Sequence, residues 1–251
     1  MNIRSVDATH GWRWLAEGIV IFRKSPAQWL LFVVILFAGS RLLLALPFMG
    51  FAAILLAPNC LAGLAHGAQA LTQGKPLRLG YLASGFLKNG APLVTIGGVS
   101  LVGQFLMLMG MTVVAGDALS EIAKTMAAGA ITPDTVNAMR AAAPRMLLSV
   151  IVGLGISLPV MLAVWFAPLL VFFDDMKPLP AMVLSLKACL KNVLPLLVYS
   201  ITVMVPLFVI MQIGMALTRQ PDFGIWLLAP VLVPSLYASY RDLFLPDTSG
   251  D

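Results

Sequence analysis

Ionisable side chains are scarce in the apolar parts of this chain. The sequence has 11 Asp and Glu and two His among 251 residues, and no acid lies within a long apolar run. Chemistry inside a membrane normally needs such groups within the helix bundle. GxSxG, HExxH and glycine-rich phosphate-binding motifs are absent as well. We therefore expect a protein that is not an enzyme and that uses no cofactor.

Cysteine is almost absent too, with Cys60 in an apolar run and Cys189 on a predicted surface helix. The two are poorly placed for a disulfide, and no CxxC or Cys/His cluster indicates a metal. We expect both to pack as small apolar side chains. The first 26 residues are too polar for the core of a cleavable signal peptide. The apolar run from Ala27 is therefore expected to remain as a membrane anchor.

Apolar sequence is what the chain has in excess. Hydrophobic residues make up 60% and charged residues 11%, against roughly 45–50% and 25% in soluble proteins. A bilayer core needs about 20 apolar residues per helix. We predict an all-α integral membrane protein with a single membrane domain, 1–251. Its six predicted transmembrane helices cover about 27–46, 51–71, 91–115, 146–173, 193–217 and 223–240.

One stretch of sequence occurs twice. Lys-Pro-Leu, beginning at Lys75 and again at Lys177, is followed about ten residues later by Leu-Lys-Asn-x-x-Pro-Leu. Each copy predicts an amphipathic helix on the membrane surface that turns at proline into a spanning helix. A looser third copy covers 11–26. We predict three hairpin units, each an amphipathic interfacial helix followed by two spans, over 11–72, 75–173 and 177–244.

Three details of these units can be tested against a structure. Ala-Pro occurs in the second span of each unit, at 57–58, 167–168 and 229–230, but it recurs elsewhere and at differing depths, so we give it no weight. Pro159 and Pro168 predict a kink in the fourth span. Unit two alone carries a long outer loop, 116–145, for which we predict two short helices packed over the outer face.

Residues 11–24 form the first predicted interfacial helix. Helical spacing predicts an apolar face opposite Arg13, Glu17 and Lys24. Tryptophan together with basic residues suits the headgroup zone. The predicted apolar face consists of Trp12, Leu15, Ile19 and Phe22.

The basic residues predict the orientation. Six spans with both ends in the cytoplasm place 11 of the 16 Lys and Arg inside and 5 outside. This is the direction that the positive-inside rule requires. The inner residues are Arg4, Arg13, Arg23, Lys24, Lys75, Arg78, Lys88, Lys177, Lys187, Lys191 and Arg241. The outer residues are Arg41, Lys124, Arg140, Arg145 and Arg219.

The second span carries polar residues on one face, and Gly63 and Gly67 lie beside them. One interpretation is a polar path or ligand site. The other, which we favour, is close helix packing through the glycines, with the polar groups bonded between helices. The candidate intramembrane polar face consists of Asn59, His66, Gln69 and Gln73.

Basic residues on the interfacial helices form a second candidate site, a collar at the inner leaflet. Each is worth about 1 kcal/mol near an anionic surface. The collar either only orients the protein or also gathers lipid or docks a protein partner, and nothing indicates nucleic acid. We predict a scaffold that binds anionic lipid or a partner; a small transporter or channel using the polar face is the alternative. The collar consists of Arg13, Lys24, Lys88, Lys187 and Lys191.

Four short motifs carry a family resemblance over nearly the whole chain. They are Gly11-Trp12-Arg13-Trp14, Ile21-Phe22-Arg23-Lys24, Trp165-Phe166-Ala167-Pro168 and Tyr240-Arg241-Asp242-Leu243-Phe244. With these the chain resembles a family of uncharacterised six-helix inner-membrane proteins common in betaproteobacteria. More loosely it is similar to the membrane domain attached to some glycerophosphodiester phosphodiesterases. The resemblance implies a bacterial inner membrane, carries over no site residues, and does not imply phosphodiesterase activity.

Overall fold

The computed structural model describes residues 3–46, 49–127, 133–219 and 223–245. Within these ranges the regular structure is entirely helical, with no strand. This confirms the predicted all-α class. The helices are α1 (His10–Arg23), α2 (Pro26–Ala45), α3 (Gly50–Thr72), α4 (Gly80–Leu87), α5 (Gly90–Ala127), α6 (Pro133–Trp165), α7 (Ala167–Phe173), α8 (Pro178–Lys191), α9 (Val193–Thr218) and α10 (Phe223–Phe244).

Five segments among the described residues are long and apolar enough to cross a membrane. The segment in α3 is the most buried, with 44% of its most apolar window inside the protein against 11–22% for the others. The predicted sixth span corresponds to α10, which is not among these five. The five are Pro26–Ala45, Gly50–Thr72, Gly90–Ala118, Met139–Phe173 and Val193–Ala216.

The long fourth apolar segment is interrupted once. Helix α6 runs through Pro159 without ending, stops at Trp165, and gives way to α7 at Ala167. Pro168 lacks an N–H and its ring crowds the carbonyl four residues earlier, so a continuous helix is disfavoured there. The Ser185 hydroxyl accepts the freed Phe166 N–H at 3.0 Å. The break therefore lies beside the second of the two prolines expected to bend this segment.

The chain divides into two compact units, one of residues 98–162 and one of the remaining residues. In the smaller unit, parts of α5 and α6 approach closely at glycines: a Cβ added at Gly103 would lie 2.8 Å from Val160. For residues 116–145 the sequence predicted two separate short helices packed over the outer face, and this prediction is wrong. Residues 116–127 continue α5 and residues 133–145 belong to α6. Residues 128–132 lie outside the described part. Many apolar side chains here are exposed, including Phe105, Leu108, Val113, Leu147 and Ile151.

In the larger unit, each of the three helices predicted to be interfacial packs on a different neighbouring helix. Helix α4 packs on α3, α8 packs on α7, and α1 closes the cycle by packing on α10. The three inner helices also contact one another, α10 with α3 and α3 with α7. We call α1, α4 and α8 the interfacial ring. Each of them contacts one of the helices α3, α7 and α10.

The same close approach occurs at two places in this ring. A Cβ at Gly85 would lie 1.9 Å from the Asn59 carbonyl oxygen, and one at Gly18 would lie 2.7 Å from that of Val231. Asn59 and Val231 each follow the proline of an Ala-Pro pair. The dipeptide that sequence reasoning set aside therefore marks equivalent points of α3 and α10.

The buried face of α1 differs from the predicted one. Trp14 and Ile21 are each 2% exposed, whereas Trp12 is 57% exposed. The prediction had placed Trp12 on the apolar face and had not included Trp14 or Ile21 in it. The packing of α1 against α9 and α10 determines which face is buried, because Gly11 and Gly18 let α1 approach the backbones of these two helices closely.

Candidate functional site

Asn59 ties α3 to the corner between α4 and α5. Its side chain is buried, and its Nδ2 donates to the carbonyl oxygens of Gly85 at 3.0 Å and Gly90 at 3.1 Å. The Gly85 carbonyl belongs to the last turn of α4, where no further helical N–H is available to it. Asn59 therefore acts as an interhelical clamp.

His66 follows Asn59 by seven residues on α3 and also contacts α4. Its Nδ1 is 3.1 Å from the Ser84 hydroxyl, and its imidazole packs edge-on against Tyr81 with ring centroids 4.8 Å apart. On the other side it meets Phe172 of α7 at 5.3 Å. His66 thus joins three helices, α3, α4 and α7.

The rest of the polar face points elsewhere. Gln69 and Thr72 lie within hydrogen-bonding reach of the Tyr237 hydroxyl on α10, and Gln73 is exposed at the end of α3. Asn59 and His66 of α3 therefore both contact α4, whereas Gln69 and Gln73 do not take part in that contact. Three of the four residues contact side chains or carbonyls of neighbouring helices.

The five collar residues do not form one cluster. Lys24 donates to the Leu71 carbonyl at 3.1 Å, Lys88 pairs with Asp175 at 3.4 Å, and Lys191 donates to the Ile3 carbonyl at 2.6 Å. Arg13 is exposed, 3.4 Å from His10. Lys187 is exposed and forms no hydrogen bond or ion pair with the described part of the chain. Four of the five therefore have an intramolecular partner, and Lys187 has none among the described residues.

Helix α8 presents three distinct sectors. Ala181, Ser185 and Ala188 are fully buried. Leu179, Val183 and Leu190, spaced four and seven residues apart, form an exposed apolar stripe, at 71%, 44% and 59% exposure. Lys187 and Lys191 form the third sector, on the other flank of the stripe. This is the pattern of a helix that lies in the membrane interface with its lysines toward water.

Helix α4 exposes apolar side chains and directs polar ones toward the protein, the reverse of an amphipathic helix in a soluble protein. Leu79, Phe86 and Leu87 are exposed, whereas Tyr81 and Ser84 face His66. An apolar exterior with polar groups between helices is expected where lipid, and not water, surrounds a protein.

The asparagine of the repeated Leu-Lys-Asn motif has a role at both corners. Asn89, at φ 58°, donates to the Val171 carbonyl and to the Asp175 carboxylate, both at 2.8 Å. Asn192 donates to the carbonyl of Arg4 and accepts from Val6 N–H, both at 3.0 Å. Sequence reasoning assigned neither residue to a site, although their identical offset from proline was a usable signal.

Two adjacent carboxylates at the end of α7 are in contrasting surroundings. Burial raises the pKa of Asp174 above its ordinary value, although the Tyr240 hydroxyl donates to its Oδ2 at 2.6 Å and opposes the shift. The Asn89 amide, followed by Lys88, holds the pKa of Asp175 below its ordinary value. Of the two carboxylates, Asp174 therefore takes up a proton more readily than Asp175.

We expect Asp174→Asn to change the pH dependence of stability. The folded-state pKa of Asp174 lies above the unfolded value of about 3.9, so the folded protein binds the extra proton and stability falls as pH rises through that interval. The variant keeps an acceptor for Tyr240 but cannot ionise. Thermal unfolding in detergent from pH 4 upward should show this component of the loss in the natural protein only. Parallel curves for the two proteins would contradict the assignment.

Asp242 gathers the N-terminal region onto α10. Its carboxylate accepts hydrogen bonds from His10 Nδ1 and Trp14 Nε1, both at 2.7 Å, and lies 3.5 Å from the Arg4 guanidinium. The adjacent Arg241 forms an ion pair with Glu17 of α1. The sequence assigned Asp242 to no site and named it only within a motif of the family resemblance, because its partners lie more than two hundred residues earlier in the chain.

Comparison with known proteins supports the same class. A probable inner membrane protein of Burkholderia thailandensis is 25% identical over 243 residues, which is 95% of this chain and 84% of that protein. No protein-family model matches, and no solved structure matches. The apolar helices and this relative identify a multi-pass integral protein of the inner membrane, as predicted. The looser likeness to a phosphodiesterase-linked membrane domain finds no support in these comparisons.

Proposed function

We propose that the protein is a non-enzymatic scaffold that binds anionic lipid headgroups at the inner leaflet through its interfacial helices. The observation that carries this proposal is the surface of α8. An exposed apolar stripe, Leu179, Val183 and Leu190, lies beside the exposed ammonium group of Lys187. Such a helix can place its stripe among acyl chains while its lysine meets a phosphate.

The contacts divide the collar by role. Lys24, Lys88 and Lys191 hold carbonyls or a carboxylate of their own chain. Among the described residues, Arg13 bonds only to the His10 ring at 3.4 Å, and Lys187 bonds to no carbonyl or carboxylate; both are exposed. Trp12 is 57% exposed beside Arg13, and tryptophan favours the headgroup level. We assign headgroup binding to Arg13 and Lys187.

The double variant Arg13→Gln and Lys187→Gln should bind anionic lipid more weakly. Each lost charge removes about 1 kcal/mol of attraction to an anionic surface, and about 2 kcal/mol corresponds to about 30-fold in affinity. The measurement is a titration of the detergent-solubilised protein with phosphatidylglycerol, together with the phosphatidylglycerol retained after purification.

A matched control removes one lysine and one arginine from the side of the membrane predicted to be outside. Lys124 and Arg140 are exposed and lie in the segment predicted to be outside, so Lys124→Gln with Arg140→Gln should retain inner-leaflet lipid normally. Equal affinity in the natural protein and both double variants would overturn the proposal. If lipid binding is unchanged but a co-purifying cytoplasmic protein is lost with the inner pair, the collar is a protein-docking surface instead.

We further infer six spans in three related hairpin units, with both termini in the cytoplasm and α10 as the sixth span. The charge asymmetry of 11 inner against 5 outer basic residues supports this orientation. The cyclic packing of α1, α4 and α8 on α10, α3 and α7 supports the three units. Related units arranged about an axis along the membrane normal produce this pattern.

Cysteine labelling tests this topology. In a background with Cys60→Ala and Cys189→Ala, Lys124→Cys should react with an impermeant maleimide in intact cells, whereas Lys187→Cys should react only after permeabilisation. The two positions are both exposed, so accessibility within the protein is matched. Labelling of Lys187→Cys in intact cells would contradict the orientation.

The alternative function, a small transporter, would use the polar face of α3. Asn59, His66 and Gln69 each have a partner on a neighbouring helix. Polar groups that bond between helices stabilise the bundle and leave less for a conducting path. These contacts favour the scaffold.

A further inference from the structure

The N-terminal segment is held through its backbone. Residues 3–7 are not helical and lie between the corner that joins α8 to α9 and the end of α10. The Arg4 N–H donates to the Leu243 carbonyl at 3.0 Å, and the Ile3 carbonyl accepts from Lys191 at 2.6 Å. We call Lys191, Asn192, Asp242 and Leu243 the segment slot.

Asn192 recognises this segment as a neighbouring strand would. Its amide donates to the carbonyl of Arg4 and accepts from the N–H two residues later, at Val6. A residue in a parallel β-ladder bonds the same pair of groups on its partner. Peptides added to a sheet edge gain affinity from main-chain hydrogen bonds of this kind, which do not depend on sequence.

The third corner is bridged differently from the other two. At the first corner Lys24 reaches the Leu71 carbonyl directly, and at the second Asn89 reaches that of Val171. At the third corner Asn192 connects to the Leu243 carbonyl only through the inserted segment. The segment therefore provides at the third corner the link that a single side chain provides at the other two.

Among the described residues, the ion pair of Arg4 with Asp242 is a contact of the slot that selects for charge. Arg4 lies 3.5 Å from Asp242, is itself 41% exposed, and is followed by the exposed Ser5. A basic side chain at that one position satisfies the carboxylate, whereas the remaining bonds go to groups that every residue other than proline provides.

We propose that the segment slot is an exchangeable peptide-binding site. Residues 3–7 are its intramolecular occupant. Its competing ligand is a non-helical segment of another protein that offers its backbone to Asn192 and Leu243 and a basic side chain to Asp242. The site is separate from the lipid-facing residues Arg13 and Lys187, so either proposal can fail without the other.

The test uses the full chain with a protease site inserted between Ala8 and Thr9. After cleavage of the purified protein in detergent, a fluorescent peptide of residues 2–8 should displace the cut segment and raise the fluorescence anisotropy. The same peptide with Arg4→Glu should bind at least ten-fold more weakly. Asn192→Ala in the protein should weaken binding of the natural peptide by at least ten-fold, whereas Asn137→Ala, which alters an exposed amide on α6, should not.

Two results would overturn the proposal. One is a cleaved protein that keeps its helical content and sheds its N-terminal fragment but binds no peptide. The other is loss of helical content upon cleavage, which would make the segment a permanent part of the fold. Equal binding of the natural and Arg4→Glu peptides would contradict the proposed preference for a basic side chain next to Asp242.

Discussion

Gly85→Ala lowers the free energy of unfolding by about 3 kcal/mol, the upper part of the range for overpacked sites. The added Cβ would lie 1.9 Å from the Asn59 carbonyl oxygen and 3.1 Å from the Gly63 nitrogen. Both are backbone atoms and cannot rotate away, so α4 must move off α3. That movement also stretches the two hydrogen bonds of Asn59. Thermal unfolding in detergent measures the loss.

Gly80→Ala provides the matched control on the same helix. No atom lies within 4 Å of a Cβ at that position, and alanine is favoured over glycine in a helix by roughly 0.5–1 kcal/mol. The control should therefore be neutral or slightly stabilising. If both variants unfold at the same temperature, α3 and α4 do not pack through Gly85.

Asp242→Ala lowers the free energy of unfolding by about 3 kcal/mol, because removal of one partner leaves buried polar groups unsatisfied. Trp14 is 2% exposed, and its indole N–H loses its acceptor. His10 and Arg4 lose theirs as well. Asp7→Ala, which removes an exposed carboxylate bonded to Thr9, should leave the unfolding temperature nearly unchanged.

A double-mutant cycle separates the causes of that loss. In a Trp14→Phe background there is no indole N–H to strand, so Asp242→Ala should be less destabilising than in the natural protein. An equal effect in both backgrounds would assign the loss to Arg4 and His10. An effect of Asp242→Ala no larger than that of Asp7→Ala would contradict the proposed role of Asp242.

The sequence was sufficient for the membrane class and for most helices, because apolar length and proline position act locally. Pro26 and Pro178 each begin a helix, as their fixed φ favours. The repeated Leu-Lys-Asn motif marked both corners correctly. Its contacts could not be read from it, since the partners lie 82 residues from Asn89 and 188 from Asn192.

The buried faces were not predictable for a physical reason. Periodicity separates apolar from polar residues, but in lipid the apolar side can point outward. Leu87 of α4 is 86% exposed while Ser84 faces the interior. Helix α1 carries a tryptophan on each of two faces, Trp12 and Trp14. The face with Trp14 is buried because the close approach occurs at Gly11 and Gly18. Glycine positions were therefore a better guide to packing than hydrophobicity.

The cyclic packing of the interfacial ring also constrains the order of synthesis. Helix α1 packs on α10, where Trp14 donates to Asp242, and α10 follows the other described helices in the chain. The α3–α4 contact, by contrast, can form as soon as the second hairpin begins. Chains fold from the N-terminus during synthesis, so α1 must keep an uncovered aromatic surface until α10 has been made. A nascent chain truncated before α10 is thus a natural substrate for quality control.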